Sequence, residues 1–256
     1  MSRRVPDGPA HVPPVQRIRL QYAKRGRLRF TSQRDFARAF ERALRRANVP
    51  MGYSAGFTPH PKISYIGAAP TGVASEAEYV EIGLAERRDP QQVRAALDAS
   101  LPEDVAVLEC VEAVEGTGSL ADRIDAAVWR IELPGLPVAD LQAAVGAFLA
   151  RDEVTVARRT KNGLRDVDAR AAVSGASAAE EAGCAILHVV VRQVTPAVRP
   201  DDVLAALAAV ADLRPPLPPR AVRAAQGRLD DDGTVADPLG PDRAARTRCQ
   251  GEHATV

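Results

Sequence analysis

Twice along this chain the spacing of apolar residues switches from every second position to a helical period and back, in the same order. The first run reads as a strand at 15–22, a helix at 32–48, strands near 62–67 and 77–84, a helix at 90–100 and a strand at 104–114. After a Gly-rich linker at 116–119, the second reads as a strand near 126–133, a helix at 138–150 and strands near 153–159 and 164–170. It continues with an apolar strand at 184–191, a helix at 200–211 and a last strand at 219–229. Both follow the order βαββαβ, the second with an extra strand. That order predicts an α+β fold of two ferredoxin-like domains in tandem, at 15–116 and 120–229. A length of 256 residues suffices for two small cores. Residues 1–14 and 230–256, rich in Asp, Gly, Pro and Arg, are expected to be disordered tails.

Charge is distributed as unevenly as hydropathy is regular. The formal net charge is +1, yet residues 15–50 hold eleven basic side chains against Asp35 and Glu41. Residues 76–115 reverse this, with eleven acids against Arg87, Arg88 and Arg94. The chain has three Lys and 47 Ala, the skew of a GC-rich genome, so the choice of Arg over Lys says little. Position says more. Ser32 and Asp35 carry the S-x-x-D signal of a helix start. At 100° per residue, Phe36, Phe40, Ala43, Leu44 and Ala47 then share one stripe, and Arg34, Arg38, Arg42, Arg45 and Arg46 share the opposite one. The preceding strand and the turn Lys24-Arg25-Gly26-Arg27 are basic too, and Arg27 and Arg29 flank Leu28. One contiguous basic patch suited to phosphates is the expectation. Neutralisation by the acidic 76–115 segment is its competitor.

The loop that follows the helix, GYSAGFTPHPKISYI at 52–66, has the most unusual local chemistry. Gly56 permits a tight turn, while Pro59 and Pro61 hold His60 extended from both sides. Lys62 and Ser64 then alternate with Ile63 and Tyr65 on a strand. His60, Lys62 and Ser64 could together bind a phosphate or carboxylate, and His60 could donate a proton. Other chemistry is excluded by pattern. The chain has no C-x-x-C, H-E-x-x-H or P-loop motif, and no cysteine spacing fit for an iron–sulfur cluster. No metal or cofactor is expected. Three scattered cysteines, no apolar run of membrane length and no secretory leader point to a reducing cytoplasm.

The segment 24–84 resembles the radical-SAM-linked protein family, a domain of unknown function found beside or fused to B12-binding radical SAM proteins, often near ribonuclease E/G. L-R-F at 28–30, R-A-L-R-R-A at 42–47, G-F-T-P-H-P-K-I-S at 56–64 and E-Y-V-E at 78–81 carry the resemblance. Thr31-Ser32-Gln33 departs from it, since Ser-His would precede the helix in that pattern. The resemblance implies that radical chemistry belongs to a separate chain. The leading expectation is therefore an RNA-binding accessory protein acting on tRNA or rRNA beside a radical SAM enzyme or ribonuclease. Its phosphate contacts would be Arg27, Arg29, Arg34, Arg38, Arg42, Arg45, Arg46, His60, Lys62 and Ser64. Two alternatives stand beside it. One is a protein–protein docking module using the acidic segment, and the other a metal-independent RNA-processing enzyme using His60.

Overall fold

The structure, a computed structural model, describes residues 13–55, 58–161 and 163–253. In chain order its elements are β1 (Gln16–Lys24), α1 (Gln33–Arg46), β2 (Ile63–Ile66), β3 (Ala74–Leu84), α2 (Pro90–Asp98) and β4 (Val105–Glu112). There follow β5 (Ala126–Leu133), α3 (Val138–Leu149), β6 (Thr155–Thr160), β7 (Gly163–Asp168), α4 (Ala169–Ala172), β8 (Val173–Glu181) and β9 (Cys184–Arg192). The chain ends with α5 (Pro200–Ala211), β10 (Arg220–Leu229), β11 (Val235–Ala236) and α6 (Gly240–His253). It is a mixed α+β protein with mostly antiparallel strands and, among the described residues, six α-helices. Gly56 and residues 1–12 lie outside the described residues.

Two compact units divide the chain. The first comprises Met1–Gly72, Glu76–Asp122 and Leu239–Val256; the second comprises Val73–Ser75 and Arg123–Pro238. Backbone pairing of Ala74 and Ser75 with Val222 and Arg223 assigns the start of β3 to the second unit. Helix α6 belongs to the first, and β11 and α6 occupy residues 235–236 and 240–253 of the segment expected to be a tail.

In the first unit the strands run in the order β4-β1-β3-β2. Strict alternation on β1 sends Ile18, Leu20 and Tyr22 into the core beneath α1 and α2, which contribute Phe36, Phe40, Leu44, Val93 and Leu97. Helix α1 starts where its capping signal predicts, the Asp35 N–H donating to Ser32 Oγ at 3.2 Å. Asp89 caps α2 in the same way, with Pro90 at its first position. Cys110 on β4 is 1% exposed, and burial pushes its thiol up to about 12. Iodoacetamide at pH 8 should therefore leave Cys110 unlabelled in the native protein and label it in urea, as read by peptide mass spectrometry. Native labelling would mean that β4 opens readily.

In the second unit the order is β10-β5-β9-β8, with β11 pairing β10. Trp129, Ile131, Leu141, Phe148, Leu187 and Val203 form the centre of its core. Strands β6 and β7 pair as a two-stranded hairpin separate from the larger sheet. The place in the sheet goes to β8, whose sequence VSGASAAEE lacks the apolar alternation that marks a strand. Its hold on β9 is a backbone ladder, which does not depend on side-chain type. At Gly227 a Cβ would collide with the Ala236 carbonyl, so only glycine allows β11 to approach β10 this closely.

Candidate functional site

Helix α1 presents the arginine face that its period predicts. Phe36, Phe40, Ala43 and Leu44 are buried, while Arg34, Arg38, Arg42, Arg45 and Arg46 are exposed. Ion pairing on this face is local and long. Arg38 and Asp35 approach to 3.9 Å, as do Arg45 and Glu41, and Arg46 donates to the Ser100 carbonyl. Exposed pairs of this kind contribute about 0–1 kcal/mol. Arg34 and Arg42 have no carboxylate within 4 Å among the described residues. Just upstream, residues 26–30 wind into a 3-10 turn rather than extending the strand. Gly26 sits there at φ +49, because a Cβ would strike the Asp104 carboxylate that accepts the Arg27 N–H at 2.8 Å. The turn leaves Phe30 60% exposed, with the Arg29 guanidinium 4.6 Å from its ring centroid. Its polar neighbours, Arg29 and Thr31, were the available sequence signal for an exposed position.

The strand half of the expected patch is neutralised, which corrects the single contiguous surface. Arg25 Nε donates to Glu76 at 2.7 Å, and Arg17 approaches Glu81 to 3.9 Å. Arg19 is 4% exposed and enters a buried network. Its Nε donates to Glu81 at 2.8 Å and one terminal nitrogen to Asp242 at 2.8 and 3.0 Å. The other terminal nitrogen donates to the Gly118 carbonyl at 2.7 Å. Asp242, 0% exposed near the start of α6, also accepts from Val114 N–H at 3.0 Å and the Thr117 hydroxyl at 2.8 Å. Asp242 was invisible to sequence reasoning, which placed it in a tail.

Lys62 and Ser64 stand on the other face of this sheet from α1. Ile63 and Tyr65 pack into the helix-side core, so their neighbours in the strand turn away from it. Ser64 lines a cleft of about 1010 Å³ with Arg17, Arg19, Glu81 and Arg246, and shares a smaller one of about 270 Å³ with Lys62. The α1 arginines and this pair are therefore two surfaces, not one. His60 is exposed in its loop, whose shape is set by main-chain bonds: His60 N–H donates to Ser54 Oγ at 3.0 Å, and Ser54 N–H to the His60 carbonyl at 2.8 Å. Tyr53 bridges to Pro61, the residue after His60, and Pro59 precedes it. The His60 ring contacts no acid or nucleophile among the described residues.

The acidic segment is also largely occupied. Glu76, Glu81, Glu86, Glu109 and Glu112 pair with Arg25, Arg19, Arg88, Arg243 and Arg87. In the second unit, Arg223 is buried against Ser75 and Trp129. Among the described residues no group of three or more His, Cys, Asp or Glu could hold a metal ion, and no helix is long and apolar enough to cross a membrane.

Comparison with known proteins adds a family without an activity. A family model described as an uncharacterized protein conserved in bacteria (DUF2344) matches residues 17–200. No curated protein matches the chain. A crystal structure of an unknown protein from Galdieria sulphuraria is similar at 15% identity, with a TM-score of 0.24, over 77% of this chain and 92% of that one.

Proposed function

We propose that this chain, which belongs to the family of uncharacterized proteins conserved in bacteria known as DUF2344, binds RNA through the arginine face of α1. The observation that carries the reading is one of placement. Residues 26–47 hold seven arginines against two acids, α1 turns five of those arginines outward, and the turn before it exposes Phe30 against Arg29. Guanidinium groups recognise phosphates, and an Arg–Phe pair offers a flat platform to one unpaired base. The chain is poor in aromatics, at 4%, which favours backbone recognition over extensive stacking. Docking through the acidic segment is the weaker reading, because most of its carboxylates already have partners within the fold.

The same proposal extends to architecture and setting. Each unit has the strand order and helix placement of a split βαβ pair, so we read both as ferredoxin-like, the second with the β6–β7 hairpin inserted. A cytoplasmic partner that is a radical SAM enzyme or ribonuclease, with tRNA or rRNA as the shared substrate, rests on the resemblance of residues 24–84.

The test is binding of labelled single-stranded RNA across a salt series. If about six phosphates are engaged, log affinity falls against log salt with a slope of roughly −4. Arg34→Gln/Arg38→Gln/Arg42→Gln should bring the slope to about −2, each contact on a single strand contributing roughly 0.7. Far-UV circular dichroism should be unchanged, because all three side chains are exposed. An unchanged slope in the variant, or no binding by the parent protein at low salt, sinks the reading.

A further inference from the structure

Strands β6 and β7 pair with each other in a two-stranded sheet. Their register sets Val156 opposite Val167, Arg158 opposite Arg165 and Arg159 opposite Leu164. Alternation seats the two valines in the core of the second unit and places Arg158 and Arg165 next outward on the same face. Arg159 and Leu164 occupy the other face. A lone hairpin is marginal in water, and this one is tied down at its base. Asp202 of α5 accepts from Arg158 Nε at 2.9 Å, and Arg158 also donates to the Ala197 carbonyl at 2.7 Å.

Beyond that anchor the ribbon is built against its own stability. Arg159, Lys161 and Arg165 are exposed, and no carboxylate lies within 4 Å of them among the described residues. Residues 158–165 contain four basic side chains and no acid. Arg165 faces Arg158, whose only carboxylate partner among the described residues, Asp202, is already taken, so the cross-strand position gives Arg165 no acid. Leu164 is 73% exposed, more than any other large hydrophobic side chain among the described residues. A carboxylate at 165 and a polar residue at 164 would serve folding better. The pattern calls for a partner with repeating negative charge and apolar surface between the charges. A nucleic-acid strand has both, in its phosphates and in its ribose and base faces.

We propose that the β6–β7 hairpin is a second RNA contact, in which a single strand wraps the tip of the ribbon: Arg159 holds a phosphate and Leu164 packs on a ribose or base on one face, Lys161 holds a phosphate at the turn, and Arg165 holds one on the other face. The inference rests on the RNA-binding reading of α1 and assigns a separate surface on the other unit. Its test uses the full chain and fluorescein-labelled oligouridine. Arg159→Gln/Lys161→Gln/Arg165→Gln should weaken binding about tenfold at near-physiological salt and make the salt slope shallower by about 2. Leu164→Ala should weaken binding severalfold and leave the slope unchanged, because no phosphate contact is lost. Circular dichroism melting of each variant checks that the fold persists. A triple variant with the parent's affinity and slope, alongside an α1 variant that loses binding, overturns the hairpin and leaves α1 standing. Failure of the parent to bind at low salt overturns both. Capture of polyglutamate through these three residues, with RNA binding untouched, would assign the ribbon to an acidic protein and overturn the inference.

Discussion

Asp242→Ala should destabilise the first unit by about 3–5 kcal/mol, the range for breaking one side of a buried ion pair. The size follows from what is left behind. The Arg19 guanidinium side chain is 5% exposed and Asp242 is 0% exposed, so water cannot replace the lost carboxylate. Val114 N–H loses its acceptor at the same time, while the Thr117 hydroxyl keeps the Val114 carbonyl. With a urea slope of about 2 kcal/mol/M, the midpoint should fall by roughly 1.5–2.5 M. Helix α6 should also become sensitive to trypsin at Arg243, Arg246 and Arg248, because the mutation removes its anchor at the start of the helix. Replacing both partners, as Arg19→Met/Asp242→Ala, should recover part of the loss, since the one charge left without its close partner, Glu81, is 20% exposed and still has Arg17 at 3.9 Å. A shift of less than about 0.5 M for the single variant would reduce the pair to the worth of a surface contact.

Phe40→Ala should cost about as much, roughly 3–5 kcal/mol, for a different reason. Phe40 is fully buried between β1 and β2. Its ring centroid is 6.3 Å from Tyr22, 6.0 Å from Phe36 and 6.0 Å from Tyr65, the last in an edge-on arrangement. Truncation leaves a cavity in a cluster of four rings that cannot all move inward together. Phe40→Leu keeps most of the volume and should cost less than half as much by urea midpoint. The ring also holds α1 on its sheet, so Phe40→Ala should loosen the arginine face and weaken RNA binding without removing a charge. An alanine variant of near-parent stability would mean that α1 is held mainly by contacts outside this cluster.

Much of the fold was legible because its elements obey short periods. Ser32, Phe36, Phe40 and Leu44 define α1 from spacing alone, and Ile18, Leu20 and Tyr22 define the buried side of β1. The candidate site was legible in part. The outward arginines of α1 follow from the helical period, but the fate of Arg17, Arg19 and Arg25 does not. Their partners Glu76, Glu81 and Asp242 lie 51 to 223 residues away. Helix α6 and strand β8 escaped for the same reason. Neither has an apolar stripe, and each is held by a long-range contact: a buried ion pair for α6 and a backbone ladder with β9 for β8.

The chain by itself determined where elements with an apolar period, such as α1 and β1, lie, which of their residues turn inward, and that α1 shows arginine outward, because a period of two or of 3.6 is a local property. Only the tertiary structure decided which of the basic side chains remain unneutralised, and on which face of the sheet Lys62 and Ser64 emerge. Electrostatic pairing acts through space, so the free energy of a charge is set by whichever distant carboxylate the topology brings to it.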